Sequence, residues 1–480
     1  MASVLAGLKP ESVLKHFESL SNIPRGSGNE KEVSDFILKF GKDLGLESVQ
    51  DEALNVIIRK PASKGFENVP GVIIQGHMDM VCVKNKGVEH DFTKDPIKLR
   101  VDGDMLYATG TTLGADNGIA VAMGMAILED DTIEHPELEV LVTVSEETGM
   151  DGAHAVDPAM LKGKYIINID SEEEGVITVS CAGGTNSFIK LPVSHKAAQK
   201  DAALEIEING LLGGHSGIEI GLQRANANKL MCRLLNLLTV DFDLACIEGG
   251  IKHNAIPNEA KAIISVNGSD VEAAKNEINE IVSQFKNEFL TADPGLEAHI
   301  VDTKCEEVMD DASKANVIEL GCLIPHGVQA VSLDMNGLIQ TSTNFAIIEN
   351  GHDTIGFMSA VRSSIISERE ELAGRLQILA DRFSAVNEVS GVYPAWEHKV
   401  GADLEKLSIS VYKDLYGKEP EVTAIHAGLE CGLLLAKMPN AEAISIGPDT
   451  IDVHSPNEHV SIPSVEHIWN YLLALLKAVK

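Results

Sequence analysis

The residues of this 480-residue chain that could do chemistry gather just after short apolar runs. Val72-Ile73-Ile74-Gln75 leads into Gly76-His77-Met78-Asp79, and Leu138 to Val144 leads into Ser145-Glu146-Glu147-Thr148-Gly149. Tyr165 to Ile169 leads into Asp170-Ser171-Glu172, and Ala443 to Ile446 into Gly447-Pro448 and then His454-Ser455-Pro456. A further carboxylate opens a helical stretch at Gly114-Ala115-Asp116-Asn117-Gly118. One acid after a strand is ordinarily a helix cap or a solvated turn. Five such placements on one sheet edge point to a shared task. Two imidazoles and three carboxylates suit a pair of divalent ions, zinc first, with manganese or cobalt as substitutes. Each ion takes one histidine and one terminal carboxylate, and one carboxylate bridges. A hydroxide held between two such ions is a nucleophile strong enough for an amide bond. In the doublet Glu146-Glu147 one carboxylate can bind metal while its neighbour, kept off the metal, takes the proton from the water. Asp79, two residues past His77 on an extended chain, lies on the same side and can hold the imidazole.

These side chains need a scaffold that brings strand ends together. The first half alternates strand and helix. Helical spacing runs from Pro10 to Leu20 and from Glu30 to Leu44, with a turn at Gly26-Ser27-Gly28-Asn29 between them. The runs at 72–74, 138–144 and 165–169 are continuous rather than alternating, as buried parallel strands are. Gly118 to Leu128 is small and apolar, suited to a helix packed on a sheet. After Gly183-Gly184 the texture changes: Leu204 to Ile208 and Ala260 to Val266 alternate, which predicts an antiparallel sheet exposed on one side. Helices are expected at Leu222 to Leu238 and Val271 to Leu290, and a turn from Ser390 to Trp396 through Gly391 and Pro394. An echo of Ile208-Asn209-Gly210-Leu211 in Met335-Asn336-Gly337-Leu338 is no stronger than chance. The α/β texture returns with a helix at Leu404 to Tyr416, the strand at Ala443 to Ile446 and a closing helix at Ser464 to Lys477. The expected fold is α/β, with a mixed, largely parallel central sheet in residues 1–189 and 392–480, interrupted by an inserted α+β domain at 190–391.

Composition agrees with a folded chain, at 44% hydrophobic and 23% charged residues. With 39 Lys and Arg against 72 Asp and Glu, the net charge is −33. A field of that sign repels nucleic acid and anionic membrane surfaces and favours cations. No basic and apolar leader opens the sequence, no run approaches a membrane span, and seven scattered cysteines without a CxxC pair point to reduced thiols. A cytoplasmic protein is expected.

Taken together, the motifs at 76–79, 114–118, 146–149, 170 and 454–456 resemble the co-catalytic zinc peptidase family that includes aminoacylase and carnosinase. Within it, Ile23-Pro24-Arg25 with Ser27-Gly28-Asn29, the run 110–118, Gly213-Gly214-His215-Ser216-Gly217 and His426-Ala427-Gly428-Leu429-Glu430-Cys431-Gly432 are similar to a dipeptidase branch. The resemblance implies that Asp116 bridges two zinc ions, that His77 and Asp170 complete one site, and that Glu147 and His454 complete the other. Glu146 would be the general base and Asp79 the residue that orients His77. It also implies a cis peptide at Asp116-Asn117, and an inserted domain acting as a lid that carries homodimer contacts. In that domain His215 would polarise the scissile carbonyl, in relatives from across the dimer. Asn254, Asn344 and Arg362 would meet the substrate, with Arg362 on its C-terminal carboxylate; backbone amides near Gly428 are the anchor if Arg362 is not.

The expected activity is hydrolysis of dipeptides, Xaa-His or a broad range. An N-acyl amino acid deacylase is the alternative, since the same attack serves any amide. A third reading, a binding scaffold that kept the fold, is disfavoured by the intact Glu146. His426 and Glu430 line the pocket or pack structurally. Glu172-Glu173-Glu174 reads as a solvated turn, and His253, His352 and His459 as ordinary residues.

Overall fold

The computed structural model describes residues 3–335 and 337–480, so of the echo only Asn336 lies outside the described residues. The chain divides into two compact units. One comprises Met1–Ser180, His398–Ala424 and Leu429–Lys480; the other comprises Cys181–Glu397 and Ile425–Gly428.

The first unit is built on an eight-stranded sheet in the order Glu47–Gln50, Val56–Lys60, Leu138–Thr143, Val72–His77, Tyr165–Asn168, Glu442–Ser445, Val176–Cys181, Glu421–Ile425. The four middle strands are parallel, and every residue in them is buried. That is why apolar residues run consecutively in them, as in Val72-Ile73-Ile74 and Tyr165-Ile166-Ile167, rather than alternating. Parallel strands end on one side, so His77, Glu146 and Asp170 follow three neighbouring strand ends. The helix Ala115–Glu129 is buried along almost its whole length. A Cβ on its Gly124 would come within 2.8 Å of Val140 Cγ1, so glycine lets the helix lie close on the strand Leu138–Thr143. Helices Glu11–Ser21, Lys31–Asp43, Asp403–Tyr416 and Ile462–Ala478 start and stop within two residues of expectation. The acidic turn is not merely solvated. Glu174 N donates to Asp449 Oδ1 (2.7 Å), and its carboxylate pairs with His467 (2.9 Å).

The second unit carries a nine-stranded sheet in which all pairs are antiparallel. Four strands matter for the site. Ile339–Asn350, Thr354–Ser363, Gly183–Pro192 and Val386–Tyr393 lie side by side in that order. Helices Ala227–Leu237, Val271–Glu288, Asp311–Leu323 and Ile366–Arg382 contribute to its core, through residues such as Leu234, Ile278, Val317 and Leu376. Two expectations are corrected. The helix expected from Leu222 starts at Ala227, because Gln223 is left-handed (φ 53°) and the Asn226 side chain caps the helix by accepting from Lys229 N. The turn expected at 390–396 is a strand as far as Tyr393, with a register shift between Ser390 and Tyr393 that accommodates Gly391. The short return at 425–428 belongs to the second unit, where Ala182 N donates to the carbonyls of Ile425 and Ala427 (both 3.1 Å).

Candidate functional site

At the ends of the parallel strands, His77, Asp116 and Glu147 each present a ligand atom, all within 4.8 Å of one another. Asp116 offers one oxygen to each of two imidazoles. Its Oδ1 lies 3.1 Å from His77 Nε2 and its Oδ2 lies 3.3 Å from His454 Nε2. Asp170 Oδ1 is 3.4 Å from His77 Nε2, and Glu147 Oε2 is 3.0 Å from His454 Nε2. The five residues thus fall into two sets, His77 with Asp170 and His454 with Glu147, sharing Asp116. Glu146 stands outside both, 3.9 Å from His77 Nε2. The peptide Asp116-Asn117 is cis.

The electrostatics fit this donor set to cations. Burial pushes His77 down, but Asp170, Asp116 and Asp79 outweigh it and hold the ring well above its usual value. Hydrogen bonds with Asp116 and Glu147 push His454 up to about 10. Burial raises Asp116, yet its bonds to both histidines leave it below the ordinary carboxylate range. Carboxylates therefore hold a proton on each imidazole, and a divalent ion would supply that positive charge instead. Glu146 is pushed well above the usual range by burial, with Asp170, Glu430 and Glu147 adding and His77 opposing. A base poised nearer neutrality suits proton transfer.

A ring of polar residues holds this cluster in place. Asp79 Oδ1 meets His77 Nδ1 at 3.3 Å, and its two oxygens also accept from Glu146 N (3.1 Å) and Glu147 N (3.3 Å). Ser27 Oγ donates to Asp79 Oδ2 (2.8 Å). Asp79 thus fixes the imidazole and the glutamate doublet at once. Ser145, just before the doublet, is left-handed (φ 52°), as is His454 (φ 60°); such strain is held at functional sites by its surroundings.

Three supports were not identified from the sequence. Glu458 accepts from Leu113 N (2.7 Å), Gly114 N (3.0 Å), Ala115 N (2.8 Å) and Asp116 N (3.4 Å), capping the helix that carries Asp116. Buried Arg25 donates to the carbonyls of Met78 (2.9 Å) and Gly114 (2.5 Å). Glu30 Oε1 accepts from Ser145 N and Oγ. Arg25 belongs to the Ile23-Pro24-Arg25 motif, but nothing in local spacing marks Glu458 or Glu30. Glu430, fully buried, accepts from Gln75 Nε2 (2.5 Å) and Thr143 Oγ1 (2.7 Å), a structural place under the strand ends.

The second unit holds the other expected residues. His215 Nδ1 accepts from Gly217 N (3.3 Å) and Ile218 N (3.2 Å), which puts the ring proton on Nε2, free to be donated. Burial and then the charge of Arg362 push His215 down, and the same two causes push His426 to about 3. His426 Nε2 bonds Ser342 Oγ (2.7 Å). Arg362 is half-buried, and its Nη1 donates to Tyr393 Oη (2.8 Å). Asn344 is buried and spends its amide on the carbonyls of His253 (3.3 Å) and Ala255 (2.7 Å). Asn254 accepts from Ser216 N at its carbonyl (2.9 Å), steadying the His215 loop. Gly428, half-buried, ends the return segment.

A mixed sheet with acids and imidazoles gathered at its parallel strand ends defines a metal-dependent amide hydrolase, and the chain belongs to peptidase family M20/M25/M40, which its residues 73–478 match. Over 482 residues, 99% of both chains, it is 37% identical to the cytosol non-specific dipeptidase of Escherichia coli (strain K12). The crystal structure of aminoacylhistidine dipeptidase from Vibrio alginolyticus has a TM-score of 0.93 to it at 34% identity, covering 100% of this chain and 99% of that one. Aminopeptidase PepT from Bacillus cereus ATCC 10987 shares the fold, with a TM-score of 0.58 at 15% identity, covering 98% of this chain and 99% of that one. Among the described residues no helix is long and apolar enough to cross a membrane.

Proposed function

We propose that this chain is a cytoplasmic dipeptidase that works with two divalent metal ions, zinc by donor set, as a homodimer. The observation that carries the reading is Asp116, which turns one carboxylate oxygen to each of two histidines. Asp116 would bridge the ions, with His77 and Asp170 on one, and Glu147 and His454 on the other. Bound there, the ions would polarise the scissile carbonyl and lower the pKa of the attacking water.

The chain's own residues do the rest. Glu146 takes the proton from the attacking water and returns it to the leaving amine. Asp79 keeps His77 oriented. His215 donates from Nε2 to the oxygen that becomes negative in the transition state, an interaction worth ~2.7–4 kcal/mol. A neutral imidazole with its Nδ1 already engaged is suited to that part. Arg362 holds the C-terminal carboxylate through paired hydrogen bonds, with Asn254, Asn344 and the backbone near Gly428 as further polar groups. The second unit would be the lid and the dimer contact, and exposed Leu212, Ile218 and Leu222 flanking His215 support an apolar interface there.

The test sets dipeptides, Xaa-His among them, beside N-acetyl amino acids. Dipeptides should be cleaved, a chelator should abolish cleavage, and zinc, manganese or cobalt should restore it. Full activity in metal-free protein would overturn the reading. A preference for N-acetyl amino acids would make the chain a deacylase.

A further inference from the structure

We infer that Tyr393 is a positioning residue for Arg362, and that Gly184 exists to let it reach. This rests on the assignment of Arg362 to the substrate carboxylate. Ser342, Arg362, Gly184 and Tyr393 are directly opposite one another on four neighbouring antiparallel strands. Residues so paired point to the same face, so the four form one row across the sheet. Arg362 and Tyr393 are two strands apart, beyond the reach of ordinary cross-strand partners. Their side chains meet because the residue between them has none. Arg362 Nη1 donates to Tyr393 Oη at 2.8 Å, directly over Gly184. A Cβ on Gly184 would lie 2.4 Å from Tyr393 Cε1, 2.5 Å from Cζ and 2.6 Å from Oη. Alanine therefore cannot replace this glycine without displacing the ring. The tyrosine backbone is pinned as well, by Arg369 Nη1 donating to Tyr393 O (2.6 Å).

The bond also decides which edge of the guanidinium is offered. Among the described residues the only hydrogen bond of that guanidinium is Nη1 to Tyr393, and its buried Nε has no partner. A carboxylate binds two parallel N–H groups, and with one N–H of Nη1 engaged, the Nε and Nη2 edge keeps both of its N–H groups for it. On the other side of the row, Ser342 holds His426 by its Nε2. The tyrosine thus turns a mobile cation into a fixed receptor for a planar anion.

Kinetics on a dipeptide and its C-terminal amide test this with Tyr393→Phe, Gly184→Ala, the double variant and Arg362→Lys. Tyr393→Phe removes only the hydroxyl. It should raise KM for the free acid about tenfold, change kcat less than KM, and shrink the preference for acid over amide by a similar factor. Gly184→Ala should do the same, and the double variant should be no worse than the larger single effect, because both changes break one contact. If Arg362→Lys shrinks the preference while Tyr393→Phe leaves it intact, the positioning role is overturned and the Arg362 anchor stands. If Arg362→Lys leaves the preference intact, the anchor itself is wrong and the inference falls with it. Additive losses from Gly184→Ala and Tyr393→Phe would show that the glycine serves some other end.

Discussion

The two polar clusters are built on opposite plans. In the first unit, acids and imidazoles leave the ends of parallel strands and crowd together, so that carboxylates raise both His77 and His454 above their usual value. In the second, a guanidinium stands one residue from the end of a strand in an antiparallel sheet, and burial and then its charge push His215 and His426 toward the neutral form. One cluster attracts cations and the other attracts an anion. On the proposed reading, a dipeptide offers its carboxylate to the second, and ions held by the first would polarise its carbonyl. On the same reading, a chain of net charge −33 holds its substrate's carboxylate by a compensating charge that is local and fixed.

The largest effect should come from separating metal binding from proton transfer within the first cluster. Glu146→Gln keeps size and polarity but loses the proton acceptor, so kcat should fall by ~10²–10⁴-fold with metal content unchanged. Asp116→Asn should lose bound metal as well, since an amide is a poor bridge between two cations. Metal analysis beside kinetics separates the two. If Glu146→Gln emptied the site while Asp116→Asn left it filled, the two roles would be exchanged.

Next in size is a mixing experiment, which asks whether the second cluster serves its own chain or the partner. His215→Ala and Glu146→Gln subunits are each expected to be nearly inactive. If His215 acts across the dimer, a heterodimer unites one intact metal site with one intact histidine and should regain up to half the wild-type activity. If it acts within its own chain, every site in the mixture lacks one group and no activity returns.

A smaller loss is expected at Glu458. Four backbone N–H groups at the start of the Asp116 helix converge on its buried carboxylate. Glu458→Gln replaces one acceptor oxygen by an NH₂ group facing other donors, leaving buried N–H groups unpaired. The cost should be about 2–4 kcal/mol in urea unfolding, with weaker metal binding as Asp116 shifts. Wild-type stability with weaker metal binding would make the residue a local aligner alone.

What the sequence made legible follows from the same contrast. His77, Glu146 and Asp170 each follow an apolar run directly, because a parallel strand delivers its chemistry at its end. The row Ser342, Arg362, Gly184 and Tyr393 left no such trace. Its members are joined by strand register, and register is set by pairing across the sheet rather than by neighbours in the chain. Tyr393 was hidden in what read as a turn, because Gly391 and Pro394 resemble a loop until the bulge between Ser390 and Tyr393 is seen. Glu458 was missed for a related reason: its partners are backbone amides more than 300 residues away in sequence, and a backbone donor carries no sequence signal.

The smallest effect tests whether the second cluster truly disfavours an added proton. His426 is buried beside Arg362, with a folded value of about 3 against an ordinary 6.5. Above pH 6.5 the ring is neutral in both folded and unfolded chains, and its contribution to stability is level. As pH falls below that, the unfolded chain takes up a proton that the folded one refuses. Stability is then lost by up to about 1.4 kcal/mol per pH unit until the folded value is reached. Between pH 7 and pH 5 this amounts to about 2 kcal/mol, a window that avoids most carboxylate titration. His426→Gln has no such proton to take up. Urea unfolding at the two pH values should therefore show wild type losing about 2 kcal/mol more than the variant. Equal losses would mean that His426 takes up its proton in the folded state, and that the charge of Arg362 is answered by something other than neutral imidazoles.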